Sequence, residues 1–323
     1  MRDVVICEPK RTAVGAFGGG FKSVPVETLA TEVVKSIISS TGMNPDKIDD
    51  TIFGNCYPTM ETPAIGRVVA LNAGLPVTAC GYQIDRRCGS GLQAVINAVL
   101  QVQSGAMDCV IAGGAESMSR ASFFSNEMRW GAGDPGVMLS DSLTRGRVTA
   151  GGVNHPVPGG MIETAENLRK AYEISREDQD ALALRSHQRA AAAEAAGKFA
   201  EEIVPVTVKQ RKGDITIEKD EHIRHDASAE SLAKLRAIRS KVDENATVTA
   251  GNASGQNDGA AACLVMTRDL ADAQGIKPIG RLVSWGLAGC GPEVMGIGPV
   301  PSTKAALARA GVPGPIAVRK RVQ

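Results

Sequence analysis

Short apolar runs alternate with amphipathic stretches over roughly the first 115 residues. DVVIC (3–7), TIFGNC (51–56), ACGYQI (79–84) and DCVIAG (108–113) have the length and continuity of buried strands. Between them, 26–42 places Leu29, Val33, Val34, Ile37 and Ile38 on one side at helical spacing, and Gly42 ends the run. GRVVALNAG (66–74) predicts a second helix that stops at glycine. LQAVINAVLQVQSG (92–105) predicts a third, with Leu92, Val95, Ile96, Val99 and Leu100 together. Uniformly apolar strands alternating with helices predict an α/β body whose sheet is largely parallel and covered on both faces.

The pattern changes after that. Residues 119–160 are rich in Gly, Pro, Ser, Asn and Met and show little periodicity. Two polar helices follow, ETAENLRKAY and SREDQDALALRSHQRAAAAEAA, the second with Ser175 as its N-cap and Gly197 as its stop. IVPVTV (203–208) and DITIE (214–218) are spaced for a hairpin around Lys212-Gly213, and AESLAKLRAIRS reads as one charged helix. Residues 119–248 therefore read as an insertion with long functional loops. From 249 the first pattern returns: a glycine-rich turn, a buried run, the helix RDLADAQG and then GRLVSW. STKAALARAG (302–311) is a helix with Ser302 as cap and Gly311 as stop. An α/β body calls for a strand next, where the sequence has VPGPIAVRKRVQ.

Composition narrows the class. A chain of 323 residues with 43% hydrophobic and 22% charged residues has the make-up of a soluble globular protein. With only 3% aromatics, its core must rest on Ala, Val, Ile, Leu and Met. The net charge of +1 supplies no field for nucleic acid or a membrane surface, and no run suits a signal peptide or a span. Seven cysteines without a Cys-x-x-Cys pair fit a reducing cytoplasm and argue against a zinc site or disulfide framework.

DRRCGSGLQAV (85–95) carries the strongest chemical signal. Cys88 stands just before an apolar helix, where unpaired N–H groups and the positive dipole end favour a thiolate, and Arg86 and Arg87 flank it. A small buried cysteine beside a tight turn is the competing reading. Cys7, Cys56, Cys80, Cys109 and Cys263 lie in or beside apolar runs and read as inert core residues. None of His155, His187, His222 and His225 carries a local catalytic signature. AGNASGQNDGA (250–260) suits close backbone approach to a ligand, and equally a tight connection. It lacks the Gly-Lys-Ser/Thr ending of a phosphate loop.

Taken in order, RTAVGAFGG, GNCYP…IGRVVAL, CGSGLQAV, AGGAESMS, TAENL…SREDQD, AGNASGQNDGAAA and VMGIGPVP resemble the thiolases, in particular the acetyl-CoA acetyltransferase group. The resemblance runs from Asp3 to about Gly311. It implies a thiolase fold: two βαβαβαββ halves in αβαβα layers with an inserted loop domain. Residues 1–118 and 249–265 then form the N-terminal half, 119–248 the CoA-binding loop domain, and 266–323 the start of an incomplete C-terminal half. The implied reaction joins two acyl-CoA molecules into a 3-ketoacyl-CoA and free CoA, or reverses this, with CoA a substrate and no resident cofactor or metal. By match of motif Cys88 is the acyl-accepting nucleophile. Arg224, Ser231, Ala250, Ser254, Met161 and Met295 take the CoA-binding positions. The resemblance also implies a cytoplasmic homo-oligomer, a dimer or tetramer. A degradative thiolase for longer 3-ketoacyl chains and a non-catalytic acyl-CoA-binding protein are the alternatives.

Three departures qualify the match. Asp85 stands where the family usually has Asn, and Gly159-Gly160-Met161-Ile162 replaces a Tyr-His-Met-Gly segment. The family's Asn-Glu-Ala-Phe, Gly-His-Pro and Cys-x-Gly motifs, the last two supplying the base and a second cysteine, do not occur in these 323 residues. The expectation is a truncated, catalytically weak thiolase.

Overall fold

The structure is a computed structural model, and it describes residues 1–134 and 136–313. Contacts divide the chain into two compact units. The first comprises residues 1–122, 193–223 and 255–282; the second comprises 123–192, 224–254 and the residues from 283 onward.

In the first unit the predicted elements appear in order: β1 (Val4–Thr12), α1 (Val26–Thr41), β2 (Asp50–Gly54), α2 (Ile65–Asn72), β3 (Tyr82–Ile84), α3 (Ser90–Ser104) and β4 (Cys109–Ser117). Three short strands follow, β5 (Ile203–Val204), β6 (Val206–Val208) and β7 (Ile215–Ile217). The long β8 (Asn257–Thr267) and the short β9 (Pro278–Gly280) come later in the chain. With β8 included, the order is βαβαβαββ, the unit expected for half a thiolase fold.

The main sheet runs β9–β1–β8–β4–β2–β3. It is mixed, which corrects the largely parallel sheet read from the sequence. β8 lies antiparallel to both β1 and β4, while β2 is parallel to β3 and β4. A buried parallel strand and a buried antiparallel one are both continuous apolar runs, so the pattern cannot give direction.

Both faces are covered, as expected, and the period-2 alternation shows how. Val5, Cys7, Phe53, Ile111, Leu264 and Met266 pack in one cluster with Leu29, Val33, Val34 and Ile37 of α1 and Ile65 and Val69 of α2. Their neighbours Val4, Ile52, Val110, Ala112, Cys263 and Val265 pack in another with Ala94, Ala98, Val99 and Val102 of α3. α3 thus lies on the opposite face from α1. Its buried side uses alanines, and Leu92 and Leu100, expected in the core, are 66% and 42% exposed.

The predicted hairpin is shorter than read. β6 pairs with β7, but Pro205 separates off β5, which joins β1 in parallel.

The second unit contains α4 (Ser142–Thr149), α5 (Gly160–Tyr172), most of α6 (Arg176–Ala195), α7 (Ala229–Ala233) and α8 (Pro299–Arg309). Ser175 accepts the Asp178 N–H at 3.0 Å, the capping bond expected for α6. α7 covers only the first part of AESLAKLRAIRS. The Arg176 guanidinium takes the carbonyls of Leu232 and Leu235, which a longer helix would bond internally. α8 begins at Pro299 rather than at a Ser302 cap, because proline suits the first helical turn. The strand expected after Gly311 falls largely on 314–323, outside the described residues.

Candidate active site

Cys88 occupies the turn between β3 and α3. Glycines let this turn sit against the sheet. A Cβ on Gly54, at the end of β2, would lie 2.6 Å from Gly91 N and from Ser90 C and Cβ. A Cβ on Gly114 of β4 would reach Gly54 O at 3.2 Å and Gly91 Cα at 3.4 Å. The head of α3 therefore approaches the end of β2 and the interior of β4 at backbone distance. α3 has no side-chain cap at Gly89, so its first amides are not taken by a capping side chain.

The turn itself is tight. Arg87 has φ +48°, a left-handed conformation that is costly for a residue with a Cβ. The Arg87 N–H donates to Asp85 Oδ1 at 2.7 Å. Ser90 Oγ accepts from Arg86 N at 2.7 Å and donates to Arg87 O at 2.6 Å. Cys88 is exposed, which removes the buried-core reading of this residue.

A cavity of about 310 Å3 opens beside it. Cys56, Ser90 and Glu116 line it with Cys88, as do Arg11 and Arg87. Glu116 fixes the segment after β2: it accepts from Asn55 Nδ2 and Cys56 N at 2.8 Å each and from Tyr57 N at 3.2 Å. Burial pushes the Glu116 carboxyl above the usual range, the two backbone N–H donors pull it back, and the charge of Asp85 adds to the rise. Burial, with Glu116 next to it, pushes the Cys56 thiol up to about 12. Cys56 is only half-buried and Cys80 is exposed, so neither is the core residue expected from its apolar surroundings. Cys7, Cys109 and Cys263 are buried as expected. Among the described residues, no histidine lines this cavity.

Sequence reasoning missed Glu116, Asn55 and Ser90. A carboxylate closing an apolar strand run (AGGAES) was the available signal for Glu116. Asn55, 2% exposed in GNC, carried none.

The profile of the thiolase N-terminal domain matches residues 4–269. The chain belongs to the thiolase family. Among relatives, this thiolase is 46% identical over 315 residues to the beta-ketothiolase BktB of Cupriavidus necator, a match covering 96% of this chain and 77% of the relative. It is 45% identical to an acetyl-CoA acetyltransferase of Chromobacterium violaceum, with the same coverage. The acetyl-CoA acetyltransferase structure from Bacillus anthracis superposes with a TM-score of 0.91 at 38% identity, covering 97% of this chain and 77% of the other. Human mitochondrial 3-ketoacyl-CoA thiolase gives 0.90 at 36%, covering 97% and 78%.

In the second unit of this thiolase, three of the six residues expected to bind CoA meet. Met161, Ser254 and Met295 line one cavity of about 400 Å3 with Leu168, Ile174 and Val248. The motifs TAENL and SREDQD hold its wall. Glu166, 2% exposed, accepts from Thr247 N at 2.9 Å, Val248 N at 2.8 Å and Arg169 Nε at 3.0 Å. Asn252 donates to Asp180 Oδ1 at 2.9 Å and accepts from Thr249 N at 2.8 Å. Arg224, Ser231 and Ala250 are exposed and do not line this cavity. The Arg224 N–H donates to His187 Nδ1 at 3.3 Å, and Ser231 forms a capping box with Ser228. Among the described residues, no cluster of His, Cys, Asp or Glu is placed to hold a metal, and no helix is long and apolar enough to cross a membrane.

Proposed function

We propose that Cys88 is the acyl-accepting nucleophile of this thiolase and that its substrates are acetyl-CoA and acetoacetyl-CoA. The carrying observation is the exposed thiol at the head of α3, opening on a cavity inside the family-matched region. The Cys88 sulfur attacks the thioester carbonyl of acetyl-CoA. The C–S bond to CoA breaks, and the thiol proton leaves with CoA. A second acetyl-CoA gives up an α-proton, and its carbanion attacks the acetyl thioester on Cys88. A C–C bond forms, the C–S bond to Cys88 breaks, and the released sulfur takes up the α-proton to regenerate the thiol. Thiolysis is the reverse. Backbone N–H groups at the head of α3 are the donors for the developing oxyanion.

CoA is a substrate here, and no resident cofactor is needed. Met161 and Met295 flank its pantetheine arm, Ser254 and Ala250 approach it from the glycine-rich turn, and Arg224 and Ser231 serve its nucleotide end. Residues 1–118 and 249–265 form the N-terminal half, 119–248 the loop domain and 266–323 the beginning of the second half. The working form is a cytoplasmic homo-oligomer, a dimer or tetramer. Among the described residues no histidine lines the Cys88 cavity, so turnover is expected to be slow.

The test is thiolysis at high protein concentration over a series of 3-ketoacyl-CoA chain lengths. Acetoacetyl-CoA is expected to be cleaved fastest, with all cleavage lost in Cys88→Ala. Faster cleavage of long chains would support the degradative alternative. CoA binding with no cleavage at any length would mark a non-catalytic binder.

A further inference from the structure

The geometry points to Asp85 as a positioning residue that holds Cys88 in its turn. This rests on the nucleophile reading of Cys88, but the contacts stand independently. The residue before Cys88 is in a left-handed conformation, φ +48°, at an arginine rather than a glycine. Something must hold it there. Asp85 does so with both oxygens. Oδ1 accepts the Arg87 N–H at 2.7 Å, the side-chain-to-backbone bond of an Asx turn, and Oδ2 lies 3.5 Å from Arg87 Nη1. The same guanidinium nitrogen donates to Cys56 O at 2.9 Å, tying the turn to the segment after β2. From the other side, the buried Ser90 hydroxyl joins Arg86 N and Arg87 O. Cys88 lies between these two clamps, so loss of the Asp85 clamp frees the residue that sets its direction.

Only the first bond needs an acceptor; the second contact needs the charge. Asparagine at this position would keep the first and lose the second. The ion pair is largely solvent-exposed, at 53% and 39%, and an exposed pair contributes little. The Asx-turn bond therefore does most of the positioning, and Asp85→Asn should preserve it. The charged groups near the thiol are Asp85 and Arg87 on the turn, Glu116 from β4 and Arg11 from β1.

The experiment is iodoacetamide labelling of the purified 323-residue chain at neutral pH, read peptide by peptide, with exposed Cys80 and Cys290 as internal references. In the unaltered chain Cys88 should label faster than both references. Asp85→Ala should slow Cys88 about fivefold or more and leave the references unchanged, while Asp85→Asn should restore the rate to within about twofold. Melting curves of both variants should match the parent, because the turn is exposed. Equal Cys88 rates in all three chains, or an equal loss in Asp85→Asn and Asp85→Ala, would overturn the positioning role. If Cys88 in the unaltered chain labels no faster than the references, it is the nucleophile reading that fails.

Discussion

Cys88 and Cys56 open on the same cavity but differ in chemistry. Burial and the neighbouring Glu116 push Cys56 up to about 12, so it stays a thiol at physiological pH. At pH 8, Cys56 should label at least tenfold more slowly than Cys88. Comparable labelling would show that the cavity does not discriminate between them. Cys88 itself was legible in the sequence, because Cys-Gly-Ser-Gly before an apolar run is a local pattern. Glu116, Asn55 and Ser90 were not, since their roles depend on strand ends brought together from β2, β4 and the head of α3. A second residue-scale prediction concerns Asp220. Burial opposes its charge, but the Arg11 guanidinium, at 2.7 and 3.0 Å, and the Val14 N–H hold its carboxyl below the usual range. A lowered folded value adds stability above the usual carboxylate range, and this is lost as pH falls through the lowered value. Asp220→Asn should therefore cost roughly 2 kcal/mol at pH 7, and the cost should shrink as the pH is taken from the usual carboxylate range down through the lowered value, read from denaturant melts across a pH series.

At the scale of elements, the close approach of α3 to the sheet is the feature to perturb. Gly54→Ala would put a methyl group 2.6 Å from backbone atoms of Ser90 and Gly91. Overpacking of this kind costs about 1–3 kcal/mol, and the melting temperature should fall accordingly. An unchanged melt would mean that the helix shifts freely. The helices and strands of the first unit were legible from periodicity. The burial of α3 was misjudged because its packed side uses Ala94 and Ala98, which carry little hydrophobic signal, while Leu92 and Leu100 face outward. In the second unit, AESLAKLRAIRS looked helical throughout, but Arg176, distant in sequence, claims its carbonyls. Glu166 makes a similar long-range connection. Its replacement by alanine leaves the Thr247 and Val248 N–H groups and the Arg169 guanidinium without their acceptor, at a cost of about 3 kcal/mol. CoA binding, followed by calorimetry, should weaken at least tenfold because Val248 and Ser254 line the expected pantetheine cavity.

For the molecule as a whole, seven ordered motifs carried the family assignment, and the family profile and two superposed structures agree with it. Strand direction needed the structure, since β8 returns after more than a hundred residues to pair antiparallel with both β1 and β4. That return places Gly259, Ala260 and Ala261 on the wall of the Cys88 cavity, so the site draws on both ends of the first unit. The central claim is that this cavity presents Cys88 to an acyl thioester. Its most direct test is incubation with acetyl-CoA followed by peptide mapping of the trapped protein. An acetyl group is expected on Cys88, released by hydroxylamine, with an equal amount of CoA set free and no adduct in Cys88→Ala. Acetylation of Cys56 or Cys290 with Cys88 unmodified would contradict it.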